Sequence, residues 1–179
     1  MDNPITLITQ RLTLRPPIMD DAEAIFEGYA QDADVTRWLM WKTHDDIATT
    51  RAFLESCEVA WQNRSGFPWV ITRNADKVLM GMIDARPGEH GVCVGYVLAK
   101  PYWNHGYMTE ALSEVIRWAF THETIYRVWA FCDVENHGSR RVMEKAGMSR
   151  EGILRKWCVC TNLEPTPRDC YCYASIRSE

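Results

Sequence analysis

An apolar strand pattern, Val92-Cys93-Val94-Gly95-Tyr96-Val97-Leu98, runs into a turn at Trp103-Asn104-His105-Gly106, and an amphipathic helix pattern follows at once. In that helix Met108, Ala111, Leu112, Val115, Ile116, Ala119 and Phe120 recur at three- and four-residue spacing. A strand-turn-helix junction of this kind aims free backbone N–H groups and the positive end of the helix dipole at one spot. That spot suits a pyrophosphate. The glycines are too few for a dinucleotide fingerprint, and no Gly-Lys-Ser/Thr stands there for a nucleoside triphosphate. The expected anion is therefore neither NAD nor ATP.

The remaining pattern alternates strands and helices. Residues 5–15 read as a strand. Asp20, with Glu23 as capping-box partner, opens a first helix with Ala22, Ile25, Phe26 and Tyr29 buried. Residues 31–42 read as a loop carrying Trp38 and Trp41. Thr43 and Asp46 signal a second helix start, with Ile47, Leu54, Cys57 and Trp61 on one face. Strands are expected at Trp69–Arg73, Val78–Asp84, about 91–98 and Tyr126–Asp133. Asn136 caps a short helix that stops at Gly147, and segments 149–160 and 168–177 form a final strand pair. A length of 179 residues fits one domain, 1–179, with a sizeable core.

A net charge of −4 argues against a nucleic-acid binder. No run reaches the roughly 18 apolar residues of a membrane span, and residues 1–20 lack a signal-peptide pattern, so a cytoplasmic protein is expected. The seven cysteines then read as free thiols. Cys158, Cys160, Cys170 and Cys172 form two Cys-x-Cys pairs on the final strands. Their spacing is shorter than that of structural zinc motifs, so they are expected as small buried hydrophobes, with no metal.

Trp103 to Ala111 resembles the CoA-pyrophosphate motif of the GNAT N-acetyltransferases. The resemblance spans nearly the whole chain and is strongest to the RimJ/RimL-like branch of ribosomal-protein N-terminal acetyltransferases. It rests on Thr9-Gln10-Arg11-Leu12-Thr13-Leu14-Arg15-Pro16, on Tyr102 to Ala111, and on Asn136, Ser139 and Glu144-Lys145-Ala146-Gly147-Met148, in that order. It implies an α/β GNAT fold: a mixed, twisted sheet with helices on both faces, split by a cofactor cleft between two splayed parallel strands, 91–98 and 126–133. It also implies direct acetyl transfer from acetyl-CoA to a primary amine. The acceptor would be a protein N-terminal α-amine or, alternatively, a small-molecule amine. A non-catalytic acyl-CoA sensor is a rival from another class. The expected assembly is a monomer or homodimer, with no nucleic-acid or membrane partner and no metal.

By the same resemblance, main-chain groups of Trp103, Asn104, His105, Gly106, Tyr107, Met108 and Thr109 bind the pyrophosphate. A backbone N–H near Tyr96, Val97 or Leu98 serves as oxyanion donor, at an expected bulge. Asn136 contacts the pantetheine arm, and Ser139 assists the thiolate. Arg140, Arg141 and Lys145 are candidates for the 3′-phosphate. Four positions depart from the wider pattern: Trp103 replaces Gln or Arg, Asn104 replaces Gly, Met108 replaces Gly or Ala, and Met143 stands where many members carry a Tyr. Candidate general bases are Asp84, Glu89, His90, Glu110, Asp133 and Glu135. Trp38 and Trp41 either wall an acceptor pocket or cover the core.

Overall fold

A computed structural model of the protein describes residues 6–177. Eight strands form one sheet: β1 (Leu7–Ile8), β2 (Leu12–Arg15), β3 (Phe67–Arg73), β4 (Leu79–Pro87), β5 (Gly91–Leu98), β6 (Arg127–Asp133), β7 (Ser149–Cys158) and β8 (Arg168–Ile176). Their spatial order is β1-β2-β3-β4-β5-β6-β8-β7. Every pairing is antiparallel except that of β5 with β6. The helices are α1 (Ala22–Ile25), α2 (Ala33–Thr36), α3 (Ile47–Asn63), α4 (Tyr107–Ala119) and α5 (His137–Lys145).

Alternation along the central strands builds two cores, one on each face. Trp69, Ile71, Ile83, Val94 and Leu98 face α4 and join Leu112, Val115 and Met143. Their neighbours Val70, Met82 and Val97 face the other way, onto Ile25, Tyr29, Leu54 and Cys57 of the first helical layer. Trp61, Phe67, Trp69 and Trp118 meet edge to face, with centroids 5.0–5.4 Å apart along the series.

Most expected elements form, with local differences. The part of 5–15 within the described residues is a tight hairpin, β1–β2, and Ile5 lies outside them. The first helix opens on a 3₁₀ turn at Met19–Asp21, and its entry is tied by Asp21, which accepts from the Ile18 N–H at 2.8 Å. Asp20 and Glu23 do not form that cap; Glu23 reaches across to Arg51 instead. The turn then widens to π geometry at Phe26–Ala30. Within 31–42 the short α2 forms, capped by Asp32. Asp46 caps α3 through the Ala48 N–H, whereas Thr43 bonds to Thr36 and Asn162. Asn136 caps α5 by accepting from the Ser139 N–H, and Gly147 follows with φ +83°.

The β1–β2 hairpin is latched to α4. The Glu110 carboxylate accepts from Thr9 Oγ1 at 2.6 Å, from the Arg11 N–H at 2.9 Å and from Arg11 Nε at 2.6 Å. Burial pushes the Glu110 carboxyl up, but these hydrogen bonds outweigh it and hold it below the ordinary range. A depressed carboxyl contributes stability that is present above the unfolded pKa and is lost as pH falls through the folded one. Glu110→Gln should therefore lower stability at neutral pH by about 1 kcal/mol. In denaturant titrations the gap from the parent should narrow as pH drops below the ordinary carboxylate range. A gap that stays constant with pH would contradict the latch.

Candidate functional site

The site begins with the way β5 parts from β6. The two strands pair only over Gly91–Cys93 and Arg127–Trp129. Each is held on its far side along its length, β5 by β4 and β6 by β8. Ala99 N–H donates to Met80 O, and Gly88 N–H to Gly91 O. With the unbroken β4–β5 register, alternation assigns Cys93, Gly95 and Val97 to bonds with β4. The N–H and C=O of Val94, Tyr96 and Leu98 therefore point toward β6, and the last two lie beyond the end of the shared ladder. The expectation for this stretch is corrected in two respects. No bulge interrupts β5; the irregularity in this part of the sheet lies between Ile71 and Thr72 of β3. The Val97 amide is also taken up by β4, so the outward donors are Tyr96 and Leu98. Gly95 makes room instead for Arg86, whose Nη2 would lie 2.8 Å from an added Cβ.

The Leu98 carbonyl accepts from Trp103 Nε1 at 2.6 Å, which ties the turn to the strand end. This explains why an indole serves at position 103. Asn104 and Gly106 adopt left-handed φ of +63° and +78°. Asn tolerates that region, and Gly enters it without penalty. The first helical bond of α4 runs from Glu110 N–H to Gly106 O, so the N–H groups of Tyr107, Met108 and Thr109 are left outside the ladder. Met108 is buried in the core and offers only its backbone. Arg11, which the sequence reading left without a role here, donates from Nη1 to His105 O at 3.1 Å and lies over the Tyr107 ring. The Thr-x-Arg start of the resemblance was the available signal.

The end of β5, Trp103, Asn104 and residues 106–109 line one cleft of about 1260 Å³, together with Asn136, Ser139, Arg141 and Lys145. Two expected residues stand apart from it. His105 bonds to Trp103 O and stacks on Tyr107 outside the cleft lining. Arg140 turns toward Glu144 on its own helix, while Arg141 and Lys145, four residues apart, share the cleft-facing side. Ser139 Oγ lies 2.8 Å from Tyr96 Oη, a partner that the backbone role assigned to Tyr96 did not foresee. Met143 is fully buried and forms part of the core.

The far wall is segment 36–44. Trp38 and Trp41 both line the cleft, and Trp41 also packs against the core beneath it. Asn162 fastens this wall: its Nδ2 donates to Thr36 O and Trp41 O at 2.8 Å each, and its Oδ1 accepts from the Thr43 N–H at 3.0 Å. Arg168 packs over the Trp38 ring. Cys160 lies past the end of β7, with its thiol toward Trp38 O, so it is not a strand residue. Cys158 and Cys170 approach to 3.1 Å between sulfurs. Among the described residues no group of three His, Cys, Asp or Glu side chains is placed to hold a metal ion, and no helix is long and apolar enough to cross a membrane.

The candidate bases separate clearly. Glu89 and His90 sit on the β4–β5 turn, outside the cleft lining. Glu110 is consumed by the latch. Asp133 is buried against Arg168, and Glu135 pairs with the same guanidinium. Asp84 is half-buried in the cleft on the Trp38 side of the sheet, directly across from Gly95. Burial pushes its carboxyl up, and Arg86 at 3.2 Å pulls it only partly back.

If the α4 amides bind a pyrophosphate, Gly106→Val should weaken acetyl-CoA binding at least tenfold, about 1.4 kcal/mol. The branch adds bulk at the anion and strains a left-handed φ. Calorimetric titration of the folded variant measures it, and an unchanged affinity would refute the assignment.

The family model of the acetyltransferase (GNAT) domain matches residues 11–149. The chain is 32% identical over 176 residues to YnaD of Bacillus subtilis strain 168, named an uncharacterized N-acetyltransferase, covering 97% of this chain and 98% of that protein. It superposes on a GNAT-family acetyltransferase from Bacillus anthracis with a TM-score of 0.83 at 29% identity, covering 96% of this chain and 98% of that one. It has the same fold as RimL, a ribosomal L7/L12 α-N-protein acetyltransferase solved with coenzyme A, at a TM-score of 0.84 and 18% identity over 96% of this chain and 98% of that one. With a family match over most of its length and a cleft built on the parting of two parallel strands, this chain belongs to the GNAT acetyltransferase family.

Proposed function

We propose that this protein transfers an acetyl group from acetyl-CoA directly to a primary amine, and that the amine is the N-terminal α-amine of a protein or peptide. The observation that carries this reading is that the outward N–H groups of Tyr96 and Leu98 and the free amides at the start of α4 border one cleft. A thioester arm ending in a pyrophosphate matches that run of donors. The cleft fits the group on three counts: a left-handed Gly106 that admits phosphate oxygens, two cations on α5, and room for a long ligand. Acetyl-CoA supplies an acyl group activated as a thioester, and the chain supplies position and charge.

The Tyr96 or Leu98 N–H stabilises negative charge as it develops on the carbonyl oxygen. Asp84 accepts the proton of the incoming ammonium, directly or through water. Burial raises its pKa, which makes it a stronger base than an ordinary Asp carboxylate. Ser139 donates a hydrogen bond to the departing sulfur. Burial makes six of the thiols poor candidates for a covalent route, raising Cys57, Cys93, Cys132, Cys160, Cys170 and Cys172, with Cys57 and Cys132 pushed up to about 12. Trp38 and Trp41 shape the acceptor side. The relative named for a ribosomal-protein α-amine makes peptide N-termini the class to test first.

A screen of N-terminal peptides and small amines, read by release of CoA thiol, identifies the acceptor. Turnover with peptides is expected, and turnover with small amines alone would overturn the peptide assignment. Mass spectrometry after acetyl-CoA alone should show no acetyl-enzyme. A kinetically competent acetyl-cysteine would overturn direct transfer.

Two substitutions test the proton roles. Ser139→Ala should lower kcat by about 10–100-fold with little change in KM for acetyl-CoA. Asp84→Asn should lower kcat/KM by about 100-fold or more. Because the folded pKa of Asp84 is raised, its ionisation costs stability as pH climbs through the window above the ordinary Asp range. Asp84→Asn should therefore melt no lower than the parent at neutral pH while losing activity. A variant that is destabilised but fully active would contradict the role.

A further inference from the structure

Met143 of α5 is sealed in the core and offers the cleft no proton donor. A phenol reaches the site from β5 instead. Tyr96 lies on β5, and its side chain crosses the opening to α5, where Oη stands 2.8 Å from Ser139 Oγ and 3.2 Å from Ser139 O. Burial pushes the Tyr96 phenol well up, so it keeps its proton and acts as a donor. A serine hydroxyl has one hydrogen to give and can accept two. The phenol also has a single hydrogen, and of its two acceptors Ser139 Oγ at 2.8 Å is nearer than Ser139 O at 3.2 Å; when Tyr96 donates to Ser139 Oγ, the single hydrogen of Ser139 is directed elsewhere. Its other neighbour is the Cys132 thiol on β6, a weak acceptor that lines the same cleft. A thiolate brought to this point is a far stronger acceptor than a neutral thiol.

We propose that Tyr96 is a positioning residue which, through its hydrogen bond to Ser139 Oγ, turns the Ser139 hydroxyl toward the sulfur that leaves during acetyl transfer. The inference rests on the acetyl-CoA reading above. In the step concerned, the amine nitrogen bonds to the acetyl carbon and the C–S bond breaks. The bonding pair goes to sulfur, and the amine proton goes to Asp84 or to water. No proton leaves Ser139. Its hydrogen bond, strengthened by the phenol behind it, stabilises the thiolate as charge reaches the sulfur.

The test uses product CoA, so it needs no known acceptor. The thiol of bound CoA is titrated by its thiolate ultraviolet absorbance in four proteins: the parent, Tyr96→Phe, Ser139→Ala and the double variant. Tyr96→Phe keeps the ring and removes only the hydroxyl. Ser139 neighbours Cys132 on β6, and the ionisable groups around that thiol are Asp133 on β6, Arg140 on α5 and Cys158 on β7, with His137, Arg141 and Lys145 of α5 lining the cleft. All four proteins retain them, so differences report the hydroxyl pair. The bound thiol should titrate below free CoA in the parent. It should rise by about one pH unit in Tyr96→Phe and in Ser139→Ala, and no further in the double variant. With an acceptor in hand, Tyr96→Phe should lower kcat about tenfold and leave KM for acetyl-CoA within about twofold. A bound-thiol pKa unchanged in Tyr96→Phe, or additive effects in the double variant, would overturn the proposal while leaving the acetyltransferase reading intact. Failure of the parent to bind CoA by calorimetry would overturn that reading and this inference with it.

Discussion

Two parallel strands that share three residue pairs and then part leave backbone donors and acceptors without partners. Such groups are costly inside a protein unless something else satisfies them. Here the gap cannot close, because β4 holds β5 and β8 holds β6 along their lengths. The rest of the site is arranged around that gap. Trp103 occupies the last carbonyl of β5. The start of α4 faces one end of the opening, and the start of α5, with Ser139, faces the other. Under the proposed function, the arm of acetyl-CoA would complete the interrupted ladder.

The geometry of the gap depends on contacts from distant parts of the chain. Thr9 and Arg11 close on Glu110 from about a hundred residues away and fix the turn that carries Gly106. Asn162 pins the Trp38–Trp41 wall with bonds to three main-chain groups. These are polar contacts, individually worth about 1 kcal/mol, but each sets the position of a backbone segment that borders the cleft. The first hairpin and the β7–β8 turn therefore serve the site as much as the sheet does.

Period and capping in the sequence were enough to locate α3, α4, α5 and six of the strands, because helical period, caps, apolar runs and turn residues are local signals. The entry of the first helix was misread because Asp20 and Asp21 are equally good caps locally, and only the fold decides which carboxylate reaches the Ile18 amide. The strand-turn-helix junction from Leu98 to Tyr107 was legible because it is contiguous. The Tyr96–Ser139 pair, the Glu110 latch and the Asn162 clamp were not, since each joins side chains separated by 43 to 126 residues. Asp84 could not be distinguished from five other carboxylates and imidazoles until their partners were known. Its half-burial and its place across from Gly95 are properties of the sheet register.

The central claim is that exposed main-chain amides along the parting strands and at the start of α4 are what hold the co-substrate. Amide hydrogen exchange with and without acetyl-CoA tests it most directly. Tyr96, Leu98 and residues 104–109 should become protected on binding, while the amide of Val97, already bonded to β4, should change little. Protection confined to other regions of the chain, with these amides exchanging as before, would contradict the account.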